Sequence, residues 1–190
     1  MEAKLYYQKI IMKEKISNLE KSLLLGKNYA HGKSPQTMTG ERYILCDSAL
    51  SKYGKSNVLT AVADYYISNP TLYTILTSKI FKDDRWLVVR EISTNKIILV
   101  QTKGDDAGCF SKTISYLYNS KNPIVDIILC ASHPNDATHN IVKAIAGKTF
   151  KLFCFTNFYP DQKSKKWILP ASNIVKVQLK NTIIDIIKQL

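Results

Sequence analysis

Asp83-Asp84-Arg85-Trp86-Leu87-Val88-Val89-Arg90-Glu91-Ile92 and Lys96-Ile97-Ile98-Leu99-Val100-Gln101-Thr102-Lys103-Gly104 are two apolar runs joined by Ser93-Thr94-Asn95. Runs of this length around a short polar turn read as a β-hairpin. The first opens on an acid pair and the second closes on Gln-x-Lys. Residues two apart in a strand share a face, so Gln101 and Lys103 project to the same side. Antiparallel pairing brings the start of the first run to the end of the second. Asp83 or Asp84 then approaches Gln101 and Lys103 at one sheet edge. A carboxylate, an amide oxygen and an ammonium in that corner could hold a divalent metal and a water beside a phosphate.

Working outward, residues 2–25 read as a helix, with Leu5, Met12, Ile16, Leu19 and Leu23 at helical spacing and Gly26 as its stop. Residues 26–42 are rich in Gly, Ser, Pro and Thr and carry Lys27, His31, Lys33 and Arg42, a basic loop. This divides the chain into a helix-plus-loop segment, 1–42, and one domain, 43–190. Tyr43 to Cys46 is a short strand or a helix start. Ser56-Asn57 caps a helix through Val58, Leu59, Val62, Tyr66 and Ile67. Leu72, Ile75, Leu76 and Ile80 are spaced as a further helix. Beyond the hairpin, Ser111 leads a helix through Ile114, Leu117 and Tyr118. Ile124 to Cys130 is nearly all apolar, the pattern of a strand buried on both faces. Ser132 to Asp136 is a turn and cap, Ala137 to Ala146 a helix, and Phe150 to Phe155 another central strand. Trp167 to Pro170 and Ile174 to Leu179 read as late strands and Thr182 to Leu190 as a final helix. Alternation of helix and strand after residue 104 predicts a mixed, partly parallel α/β sheet.

With 190 residues and 45% hydrophobic content, the chain can bury a core and is too apolar for a disordered one. No run reaches membrane-span length, and the first residues lack a signal-peptide core. The four cysteines, Cys46, Cys109, Cys130 and Cys154, form no CxxC pair, and Cys130 and Cys154 sit in apolar runs as buried thiols would. Those features predict an intracellular, cytoplasmic and reducing setting. The net charge of +12, from 27 basic and 15 acidic residues, favours a polyanionic partner. An AT-rich genome's abundance of lysine codons is the other reading of that excess.

The hairpin and the order of elements resemble the restriction-endonuclease-like, or PD-(D/E)xK, nucleases over roughly residues 55–157. Ile97-Ile98-Leu99-Val100-Gln101-Thr102-Lys103 has the form of that family's (D/E)xK strand, with Gln in place of the acid. Gln-x-Lys occurs in its Mrr-like branch and in some small Type II restriction enzymes. The strand, Ser132, helix and strand that follow look like the Mrr-like tail. The resemblance implies an αβββαβ core, here with an added N-terminal helix. It implies a Mg²⁺-dependent DNA endonuclease acting on double-stranded DNA, with Asp84, Gln101 and Lys103 catalytic. Asp83, Asp84, Gln101 and Asp64 are then the candidate metal ligands. Such enzymes often pair as homodimers so that two sites cut two strands. Replacing the acid by Gln removes a negative charge, which leaves room for a non-catalytic nucleic-acid-binding protein on a degenerate nuclease fold, viral or polymerase-associated. A protein-interaction or anti-defence factor with incidental charge is a third reading.

Taken singly, these residues also read as structure: Asp83-Asp84 as a solvated turn or helix cap, Lys103 as a strand-end lysine. Lys33, Arg42, Lys163, Lys165 and Lys166, the last three beside Tyr159 and Trp167, are the candidate DNA contacts. A plain surface loop fits them equally. His133 and His139 lack the partners a metal would need, and Ser132 has no neighbouring base in the sequence.

Overall fold

The computed structural model describes residues 40–48, 55–105, 107–134, 136–147, 149–156 and 168–190. The predicted helix at 2–25, most of the basic loop, and Lys33, Lys163, Lys165 and Lys166 lie outside them. The described chain is a mixed α/β structure around one sheet. Strand β1 (Tyr43–Ser48) leads through helix α1 (Lys55–Ser68) to three successive strands, β2 (Tyr73–Phe81), β3 (Asp84–Glu91) and β4 (Ile97–Gln101). Helix α2 (Ser111–Tyr118) follows a short 3₁₀ turn, then β5 (Ile127–Ser132), α3 (Ala137–Ala146), β6 (Lys151–Phe155) and α4 (Ile168–Gln189).

The sheet has six strands in the order β2-β3-β4-β5-β1-β6. The β2-β3-β4 half is antiparallel, while β4, β5, β1 and β6 run parallel. From α1 to β5 the chain therefore runs helix, three antiparallel strands, helix, parallel strand. The hairpin is as the sequence implies. Glu91 N–H donates to the Lys96 carbonyl across the turn, and Asn95 takes a left-handed φ of 60°. Asparagine tolerates that conformation better than most side chains.

The core lies on both faces of the sheet. On one, Trp86, Val88, Leu99, Ile128 and Cys130 pack with Phe110, Ile114 and Leu117 of the α2 region and Ile141 and Val142 of α3. On the other, Leu87, Val89, Ile98, Val100 and Leu129 pack with Val58, Leu59, Val62 and Tyr66 of α1 and Ile183, Ile184 and Ile187 of α4. Every residue of β5 is buried, which is why its sequence shows no alternation.

Four expectations are corrected. Leu72 to Ile80 is strand β2 rather than helix: its β-branched and aromatic residues suit a pleated ribbon, and as an edge strand it leaves Ile75, Ile80 and Phe81 exposed, which blurs the alternation. Residues 168–179 are the start of α4 rather than strands; Pro170 falls in its first turn, where no N–H partner is lost. Phe150 to Phe155 supplies an edge strand and not a central one, because β1 inserts between β5 and β6. Cys154 is consequently exposed, while Cys46 and Cys130 are buried, and none of the four cysteines is in a disulfide. Among the described residues no helix is long and apolar enough to cross a membrane.

Candidate functional site

Register decides which side chains meet. On β3 and β2, Phe81 pairs with Asp84 and Lys79 with Trp86; on β3 and β4, Trp86 pairs with Gln101. Thr102 N–H donates to the Arg85 carbonyl at 3.0 Å, carrying the ladder one step past Gln101. Paired residues share a face, and so do residues two apart. The α2 side of the sheet thus presents the pair Phe81–Asp84 and the row Lys79–Trp86–Gln101, with Lys103 just past the end of β4. These residues line one cleft of about 350 Å³, whose far wall is Gly108, Cys109, Ser111 and Lys112 from the turn into α2. The predicted trio of Asp84, Gln101 and Lys103 is together in that cleft.

Each member is held by a traceable bond. Thr102 lies on the opposite face; its hydroxyl accepts from Arg85 N–H at 2.8 Å and donates to Asp84 Oδ1 at 3.1 Å. Gln101 is buried, at 2% exposure. Trp86 Nε1 donates to the Thr113 hydroxyl at 2.9 Å, Thr113 donates to Gln101 Oε1 at 2.5 Å, and Gln101 Nε2 donates to the Lys103 carbonyl at 2.9 Å. An indole N–H can only donate. The Lys103 carbonyl can only accept, so it takes the Gln101 amide nitrogen and turns the amide oxygen to Thr113. Behind the site, a Cβ at Gly104 would lie 2.2 Å from the Ala131 carbonyl oxygen, so only glycine lets the chain leaving β4 press against β5.

The other predicted ligands stand apart. Asp83 is in the two-residue β2–β3 turn, where its carbonyl accepts from the Thr60 hydroxyl at 3.2 Å. Asp64, on α1, is on the opposite face of the sheet, bound at 3.1 Å to Arg85 Nε. Arg42 is 5% exposed, donates from Nε to the Val125 carbonyl at 2.7 Å, and lays its guanidinium 4.0 Å from the Phe150 ring centroid. Burial pushes its pKa down to about 10. It is a packing residue rather than an exposed DNA contact.

Sequence reasoning missed Lys79, Phe81 and Lys112. Lys79-x-Phe81 would have shown itself had β2 been read as a strand. Nothing local marks Lys112, which reaches the cleft only because α2 packs beneath it. Its ammonium lies 3.9 Å over the Trp86 ring and that of Lys79 lies 4.9 Å over Phe81. Partial burial and then the nearby Lys79 charge hold the Lys112 pKa below the usual lysine value.

His133 and His139 serve their own turn. His133 Nε2 is 3.8 Å from Asp105, and His139 Nδ1 is 3.5 Å from the Ser132 hydroxyl, which also lies 3.1 Å from Cys46 Sγ. Ser132 is fully buried, so no substrate reaches it. Among the described residues no three His, Cys, Asp or Glu side chains form a metal-holding group. Comparison with known proteins finds no matching family model, no matching curated protein and no matching solved structure.

Proposed function

We propose that this chain is a metal-dependent nuclease that hydrolyses phosphodiester bonds of DNA, on a core of the restriction-endonuclease-like type. The observation that carries the reading is the single cleft, at the end of β4, that Asp84, Gln101 and Lys103 all line. The helix–three strands–helix–strand order from α1 to β5 is the order such nucleases use.

The donors in the cleft are hard oxygens, as Mg²⁺ prefers. Asp84 keeps carboxylate capacity beyond its bond from Thr102, and Gln101 Oε1 keeps a second lone pair beyond its bond from Thr113. They fit an ion that retains most of its waters and shares the phosphate. Bound there, it would acidify a water and polarise the phosphate. Lys103 offsets charge developing on the phosphate oxygens. Gln101 ties the backbone of Lys103 to Trp86 and Thr113, so it positions the lysine whether or not it touches metal. Four cysteines that form no disulfide support a cytoplasmic, reducing setting.

A Mg²⁺-supplemented cleavage assay on plasmid DNA tests this. Wild type should cut, and Lys103→Ala and Asp84→Asn should each lose about a hundredfold or more in rate. Equal cutting by all three, or no cutting of any DNA or RNA by wild type, ends the catalytic claim. One observation favours a second reading, a non-catalytic DNA-binding protein: both polar atoms of the Gln101 amide are already engaged. That reading expects salt-sensitive DNA binding indifferent to EDTA.

A further inference from the structure

The β2 edge of the cleft and its α2 wall have a composition that the Asp84–Lys103 corner leaves unused. Lys79, Phe81 and Lys112 lie there with no carboxylate among them; among the described residues Asp84 is the one acid that lines the cleft. The two ammonium groups rest on aromatic rings, Lys79 over Phe81 and Lys112 over Trp86. They are near enough for one charge to depress the other's pKa. Two cations held over aromatic rings, their charge exceeding that of the neighbouring Asp84, form a ready site for an anion.

Phe81 adds the second element. It is a large apolar side chain left 48% exposed at the mouth of a charged cleft. Lys79 covers one side of its ring. Phe81 is one strand from Asp84 and two from Lys103, so it lies about 5 Å from the acid's strand and about 10 Å from the lysine's. Those spacings match a nucleotide next to the one being cut. An exposed aromatic beside phosphate-binding cations is how proteins hold unpaired bases, since every base has a face to stack. A paired base in a duplex has no free face to offer and must leave the stack to enter a cleft of about 350 Å³.

We propose that Lys79, Phe81 and Lys112 form a subsite for one unpaired nucleotide flanking the scissile bond, its base stacked on Phe81 and its phosphate held between Lys79 and Lys112. The inference rests on the nucleic-acid reading of the cleft but not on catalysis.

The test is fluorescence anisotropy in EDTA, where no metal-dependent cutting occurs, with a labelled oligothymidine and a blunt duplex of equal length. Phe81→Ala should weaken oligothymidine binding about tenfold and duplex binding less than about twofold, while Phe81→Trp restores the wild-type value. Lys112→Gln should weaken both DNAs. Phe81 is exposed, so its variants keep the folded core, and Phe81→Trp controls for unfolding. Failure of wild type to bind oligothymidine at low salt overturns the subsite. So does Phe81→Ala at wild-type affinity, an equal loss on both DNAs, or Lys112→Gln without effect. A protein that binds oligothymidine through Phe81 yet cuts nothing keeps the subsite and loses the nuclease reading; one that cuts duplex with Phe81 irrelevant does the reverse.

Discussion

The polar relay from Trp86 through Thr113 and Gln101 to the Lys103 carbonyl is the most constrained feature at the residue scale. Thr113 is fully buried and both accepts and donates within it. Thr113→Val keeps shape but orphans the Trp86 N–H and the Gln101 oxygen together. An unmet buried polar group costs about 1–3 kcal/mol, so the variant should be at least about 2 kcal/mol less stable by urea denaturation. Thr113→Ser, which keeps the hydroxyl, should be much closer to wild type, and equal stability of all three proteins would contradict the relay. Asp84, Gln101 and Lys103 were legible because a period of two and a hairpin turn suffice to bring them together. The relay was not. Thr113 arrives from α2, and no spacing along the chain announces which threonine a tryptophan 27 residues away will meet. Asp64 shows the opposite failure: its helix was read correctly, but the face of the sheet on which that helix packs is a tertiary choice. That choice gave Asp64 to Arg85.

Elements divide by how much of their surface is hidden. Strands β4 and β5 are buried along their length and β3 is buried from Trp86 to Val89, so their apolar runs survive as a signal. Strand β2 is an edge, and α4 is an amphipathic helix rich in β-branched residues, which propensity assigns to strands. What makes α4 a helix is packing: Ile183, Ile184 and Ile187 recur at one- and three-residue steps and bury against the α1 side of the sheet. Its outward residues Ile174, Val177 and Ile186 stay exposed. Ile187 is 4% exposed, and Ile187→Ala should lower stability by about 2–4 kcal/mol. Ile186→Ala, one residue along on the exposed side, should change it by less than about 0.5 kcal/mol. Similar urea midpoints for the two variants would mean that α4 does not dock as described.

For the molecule as a whole, the antiparallel half of the sheet carries the cleft and the parallel half supplies the deepest burial. The site sits at β4, the one strand shared by both. The excess of 27 basic over 15 acidic residues was plain from composition, but not which of them face outward. Arg42 and Lys55 are buried, whereas Lys79 and Lys112 stand in the cleft. Charge that contacts phosphate releases counterions, and each contact adds about one to the slope of log affinity against log salt. Duplex binding measured in EDTA between about 50 and 200 mM salt should therefore weaken steeply. The double variant Lys79→Gln with Lys112→Gln should flatten the slope by about two. Arg42→Gln should leave the slope unchanged while lowering stability, because it strips a buried bond to the Val125 carbonyl and a contact with Phe150. A slope that follows Arg42 and ignores the two lysines would move the DNA-binding face away from the cleft and, with it, the argument for chemistry there.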